Sequence, residues 1–150
     1  MTTAWIAAIV SALHVLAIGI GLPSIALRGW FFSRGDATHA EWADNAWGIA
    51  TLLWIGTGLY RLFGGVEKGA AFYMMHWAFH TKMGLFAAVG ILEIWPMYTL
   101  MRWRFARSRG EVDPPPHMGH FAKISAVQTL LITAMAFAAA IMARALAFPL

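Results

Sequence analysis

Cysteine is absent from all 150 residues of the chain. That removes disulfides, thiolate metal sites, iron–sulfur clusters and cysteine nucleophiles at once. Charge is also scarce: Asp, Glu, Lys and Arg make up 12% of the sequence, against about a quarter in ordinary soluble domains. The sequence has no Gly-rich phosphate loop, nucleophile elbow, carboxylate pair at hydrolase spacing or dinucleotide fingerprint. Internal duplication, the usual mark of a transporter, is missing too.

Apolar residues fill the space. The chain is 60% hydrophobic with a mean hydropathy of +0.63, and it cannot cover that surface in water. These values point to an integral membrane protein. A helix crosses a bilayer core with roughly 20 apolar residues. Residues 4–27, 46–63, 81–101 and 124–148 meet or approach that length. Short connections between them predict an all-α, antiparallel four-helix bundle occupying the chain as a single transmembrane domain, 1–150. The segment from Gly69 to His80 is apolar and aromatic, and either lies in the interface or extends the third helix. The N-terminal run lacks a basic start and is too long for a cleaved leader, so it reads as a retained span.

The pI is near 10.0. No basic run shows the aromatic interleaving of a nucleic-acid surface, so the lipid bilayer is the expected partner of these charges. Arg28, Arg34, Arg102, Arg104, Arg107, Arg109 and Lys123 fall in the first and third connections. Arg61, Lys68, Lys82 and Arg144 fall on the other side. Positive residues mark the cytoplasmic face. That predicts a multi-pass protein of a bacterial inner membrane with both termini periplasmic. Trp5, Trp30, Trp47, Trp77, Trp95 and Trp103 sit where interfacial belts would place them. Gly-rich faces favour helix association, with a homodimer as the default.

Ionisable groups inside a bilayer are costly and tend to face the bundle interior. Here they are His14, Lys82, Glu93, Gln128 (polar rather than ionisable) and Arg144, with His76 and His80 near a helix end. His14 lies about midway along the first span, as either a packing residue or a nitrogen ligand for a b-type haem. Lys82 and Glu93 are three helical turns apart, on one stripe with Phe86 and Val89. At roughly 16 Å along the axis they cannot pair directly. Lys82 either snorkels to the interface or serves a site. Glu93 sits deep, with Pro96 one turn later, and needs a proton or a partner. His76 and His80, at i and i+4, have a spacing that suits a metal, but two ligands are an incomplete set; His117 and His120 share that weakness, and His39 and Glu41 could join them only by coincidence of folding.

The stretch "GLYRLFGGVEKGAAFYMMHWAFHTKMGLFAAVGILEIWPMYTLMRWR" resembles the signature region of a family of small bacterial four-helix membrane proteins whose function is unknown. "ALHVLAIG" and "DNAWGIATLLWIGTGLYR" extend that resemblance over most of the chain. More distantly, the "LH" of the first span and the "HTK" opening the third are similar to motifs of HemJ-type protoporphyrinogen oxidases. That resemblance implies haem b as cofactor, with His14 as the ligand of the haem iron. It implies an essential role for Lys82, and oxidation of a porphyrin precursor with electrons passed to quinone; His80 or His76 would compete as ligands only if their loop folds in. "GILEIWPMY", with Glu93, departs from that family's third span, which bears on catalysis more than on haem binding; Glu93 is either a protonated structural carboxyl or a proton-handling, catalytic group. His14 and Lys82 are expected at different depths, which leaves Met135 as an alternative mid-depth ligand or core filler. The other readings are a non-enzymatic accessory or assembly subunit, and a small proton or solute transport unit built on Glu93 and Lys82.

Overall fold

A computed structural model describes residues 2–64, 70–111 and 113–143. Among these residues there are four long helices and one short one: α1 (Thr2–Ser33), α2 (Ala37–Phe63), α3 (Ala70–Met74), α4 (Trp77–Ser108) and α5 (Met118–Ala143). No strand occurs among the described residues. Arg144 and Lys68, both weighed in the sequence, lie outside them.

Among the described residues, three helices are long and apolar enough to cross a membrane: Ala4–Ser33, Trp77–Ser108 and Met118–Met142. The chain is therefore an all-α membrane bundle. α2 carries too many polar residues to qualify alone, yet its 27 residues extend about 40 Å and pack antiparallel along α1. The register is plain from the contacts. His14 meets Trp54 and Thr57, Gly21 lies against Trp47 and Ala50, Arg28 meets Asp44, and Phe31 stacks on His39. α2 thus traverses the same depth as α1, its polar side turned toward α1 instead of lipid.

A three-residue turn makes this hairpin tight. Gly35 adopts φ +74°, a conformation glycine reaches without steric cost. Asp36 caps α2 by accepting from the His39 amide at 3.0 Å. The helices therefore run well past the expected span ends at this side of the bundle. Residues 28–45, read from sequence as a polar loop, are mostly helix. Charged residues stop a hydropathy window, but they do not stop a helix whose end stands in water or pairs internally.

The buried positions trace one stripe per helix, as the 3.6-residue period requires. On α1 they are His14, Ala17, Ser24, Ile25, Arg28 and Phe32. α1 packs on α2 and α5, and α5 packs on α4, whereas α2 and α4 meet much less. The bundle is a ring with one thin seam. Close approach of α1 to α5 needs Gly29, because a Cβ there would sit 2.9 Å from the Ser125 Cβ. Trp47 is a further correction: it is 4% exposed in the core, where the absence of a side chain at Gly21 makes room for its ring. A position near a span end suggested the interface, but the helix continues beyond it.

Candidate functional site

Two polar constellations lie inside the bundle, at opposite ends. The first centres on Arg28, which is 0% exposed. Its Nε donates to Ser125 Oγ at 3.2 Å. Nη1 donates to Asp44 at 2.7 Å and to Glu93 at 2.6 Å. Nη2 donates to Glu93 at 2.9 Å and to Gln128 Oε1 at 2.9 Å. A guanidinium has five N–H groups, and every one is used. Gln128 completes the set: its Nε2 donates to Glu93 Oε2 at 2.7 Å and to the Val89 carbonyl at 3.2 Å. All four long helices contribute. Below this cluster Arg104 pairs with Asp44 and Glu41, and Arg107 pairs with Glu41. These ion pairs tie α2 to α4 at this end of the thin seam.

The charge tally of the sequence treated Arg28 as a loop residue facing lipid headgroups. That placement is wrong: the residue is the internal counter-ion of Glu93. The signal was present in the need of a deep carboxylate for a cation, and Arg28 stands at the end of the neighbouring span. Glu93 therefore sits between Arg28 and Gln128, hydrogen-bonded to both.

The second constellation lies toward the chain termini. A cavity of about 560 Å³ is lined by α1, α2, α3, α4 and α5 together. His14 and Lys82, whose depths the sequence set apart, both line it. α4 begins early enough, at Trp77, to carry Lys82 inward of the helix end. The stripe noted in the sequence therefore does face the interior along its length: Lys82 and Phe86 line the cavity, Val89 is buried, and Glu93 joins Arg28. Lys82 and Glu93 belong to separate sites.

His14 is held firmly. Trp54 Nε1 donates to its Nε2 at 2.9 Å, and its Nδ1 lies 2.8 Å from Thr57 Oγ1. Indole N–H can only donate, so Nε2 is the acceptor and Nδ1 carries the proton. Thr57 passes the chain on by donating to the Leu53 carbonyl at 2.7 Å. Gly58 makes space for the ring, since a Cβ there would stand 3.3 Å from His14 Cε1. Trp54, which the sequence reading did not single out, is thus the partner that fixes His14. Their separation of 40 residues across a hairpin gave no local signal. Met135 is 1% exposed and lines the same cavity.

The histidine pairs take other roles. His76 caps α4 from an extended backbone (φ −105°, ψ 119°), accepting from the Ala78 amide. It therefore does not share a helical face with His80, whose Nε2 bonds the Met74 carbonyl at 2.9 Å. His39 turns to Asp36 at 2.7 Å while Glu41 turns to Arg104 and Arg107. His117 and His120 flank the Trp95 ring. No group of three or more His, Asp or Glu side chains able to hold a metal occurs among the described residues.

Residues 6–147 match the family described as "Predicted membrane protein (DUF2214)". No curated protein and no solved structure matches the chain. The match spans nearly the whole bundle, both polar constellations included, and the chain belongs to this membrane protein family.

Proposed function

We propose that the protein binds a flat, largely apolar molecule bearing carboxylates, of the tetrapyrrole class, in the cavity beside His14 and Lys82. One observation carries this reading: an imidazole and an ammonium group line a single intramembrane cavity of about 560 Å³. That volume falls in the range of about 300–1,000 Å³ typical of small-molecule sites. Ile18, Phe86 and Met135 supply apolar wall, while Arg61 and Lys82 supply positive charge for carboxylates.

For haem b, which the HemJ resemblance implies, the apolar wall and the flanking cations speak in favour. The donor set fits less well. With Trp54 donating to His14 Nε2 and the proton on Nδ1, neither ring nitrogen offers a lone pair to iron. Axial ligation by His14 therefore requires Trp54 to leave. The same bonds favour a second reading, a non-enzymatic subunit in which His14 only locks α1 to α2. Oxidation of a porphyrinogen with electrons passed to quinone is the activity that the resemblance adds to the first reading. The charge asymmetry, without Arg28, still supports cytoplasmic α1–α2 and α4–α5 connections, with periplasmic termini in a bacterial inner membrane.

The test is a titration of detergent-purified protein with haem and with iron-free protoporphyrin, followed by absorbance and Trp quenching. Saturable binding of either is expected. Lys82→Met should weaken it by about tenfold, the scale of one charge-assisted hydrogen bond. If His14→Ala removes the Soret shift of bound haem, His14 ligates after displacing Trp54. Absence of saturable binding by both compounds would leave the packing reading.

A further inference from the structure

A second cleft, of about 600 Å³, lies at the other end of α4 and is separate from the cavity. One wall is a single face of the helix, with Tyr98, Arg102, Trp103 and Arg109 at helical spacing. The opposite wall is the strap joining α4 to α5, with Glu111, Asp113 and three consecutive prolines. Trp103 Nε1 donates to the Asp113 carbonyl at 2.9 Å, pinning the strap to the helix. Pro115 is buried, and a run of prolines is stiff and extended. The cleft is therefore preformed, so little ordering cost falls on binding.

Charge in the cleft is divided by wall, guanidiniums on the helix and carboxylates on the strap. Arg109 and Glu111 answer each other at 3.3 Å. Arg102 instead stands over the Tyr98 ring, 5.8 Å from its centroid. Among the described residues neither Arg102 nor Asp113 makes an ion pair, whereas Arg104 and Arg107 are taken by Glu41 and Asp44. The cleft also has a defined depth. α4 has 32 residues, and about 20 suffice for the hydrocarbon core, so its last turns stand among lipid headgroups.

We propose that this cleft is a binding site for a zwitterionic phospholipid headgroup of the phosphoethanolamine type. The phosphate lies against Arg102, and the primary ammonium lies against Asp113 on the strap. A purely anionic headgroup would meet the strap carboxylates, and a purely cationic ligand would meet the helix guanidiniums. A headgroup carrying both signs satisfies both walls.

The full chain, exchanged into detergent micelles doped with phosphatidylethanolamine and phosphatidylglycerol of identical acyl chains, is examined by native mass spectrometry. The wild-type protein is expected to retain phosphatidylethanolamine several-fold over phosphatidylglycerol. Asp113→Asn should erase that preference, and Arg102→Gln should lower retention of both lipids, with helicity by circular dichroism unchanged in each. Equal retention of the two lipids by the wild type, or an unaltered preference in Asp113→Asn, overturns the proposal.

Discussion

The two ends of the bundle bury polar groups in opposite ways. At the Arg28 end, charged and polar groups from four helices are matched donor for acceptor, and the side chains fill the space. At the His14 end, one neutral ring is satisfied by two neighbours and the rest of the interior is left as a cavity. A saturated network has no donor left for a ligand, whereas the other end keeps an open cavity. The first end fixes the helices, and the second is where the proposed binding would take place. Depth in the membrane alone does not make Glu93 a reactive group.

Removing the centre of the network should break this contrast most severely. Arg28→Met leaves the part-buried Glu93 without its cation and Asp44 with Arg104 alone, a change expected to cost roughly 3–5 kcal/mol, read from unfolding in mixed micelles of increasing SDS. Adding Glu93→Leu should return part of that loss, because an uncompensated buried charge is worse than none. His14→Ala at the other end removes neutral hydrogen bonds only. Such deletions within membranes average about 0.6 kcal/mol and reach about 1.7, so the same assay should show a much smaller shift, accompanied by a change in Trp54 fluorescence.

Finer tests sharpen the contrast. Gly58→Ala places a methyl 3.3 Å from His14 Cε1, which the ring can relieve by shifting a few tenths of an ångström. Its stability should fall by about 1 kcal/mol or less, while ligand affinity in the cavity changes more than stability does. The smallest effect belongs to the α2 cap. The backbone N–H of His39 holds the Asp36 carboxyl below its ordinary value, with the His39 side chain adding to the effect. A depressed folded value means that the cap's contribution is complete above the unfolded value of about 3.9. It is lost as pH falls through the lower, folded one. Protection of the Thr38 and His39 amides should therefore fall only in acid.

The bundle was legible because long apolar runs and short connections leave few alternatives. Its helix ends were not. Glu41, Asp44, Arg104 and Arg107 look like loop residues to any measure of hydropathy, yet they pair with one another along helices that overrun the bilayer. The inward stripe from Lys82 to Glu93 was readable from spacing alone. What spacing could not give was the partner across the bundle: Arg28 for Glu93, and Trp54 for His14. Tertiary pairing of this kind follows from how α1 lies against its neighbours, and no local pattern in either helix encodes it.

The saturation of Arg28 also bears on how the protein is made. Synthesis delivers the helices in order, so the arginine of α1 reaches the membrane before most of its partners exist. Asp44 arrives with α2, giving the first hairpin a single internal ion pair. Glu93 follows on α4, and Ser125 and Gln128 come last, on α5. A nascent chain stopped after α2 therefore holds a cation that is still owed most of its acceptors. Such an intermediate gains by waiting beside the insertion machinery until the final helix closes the ring.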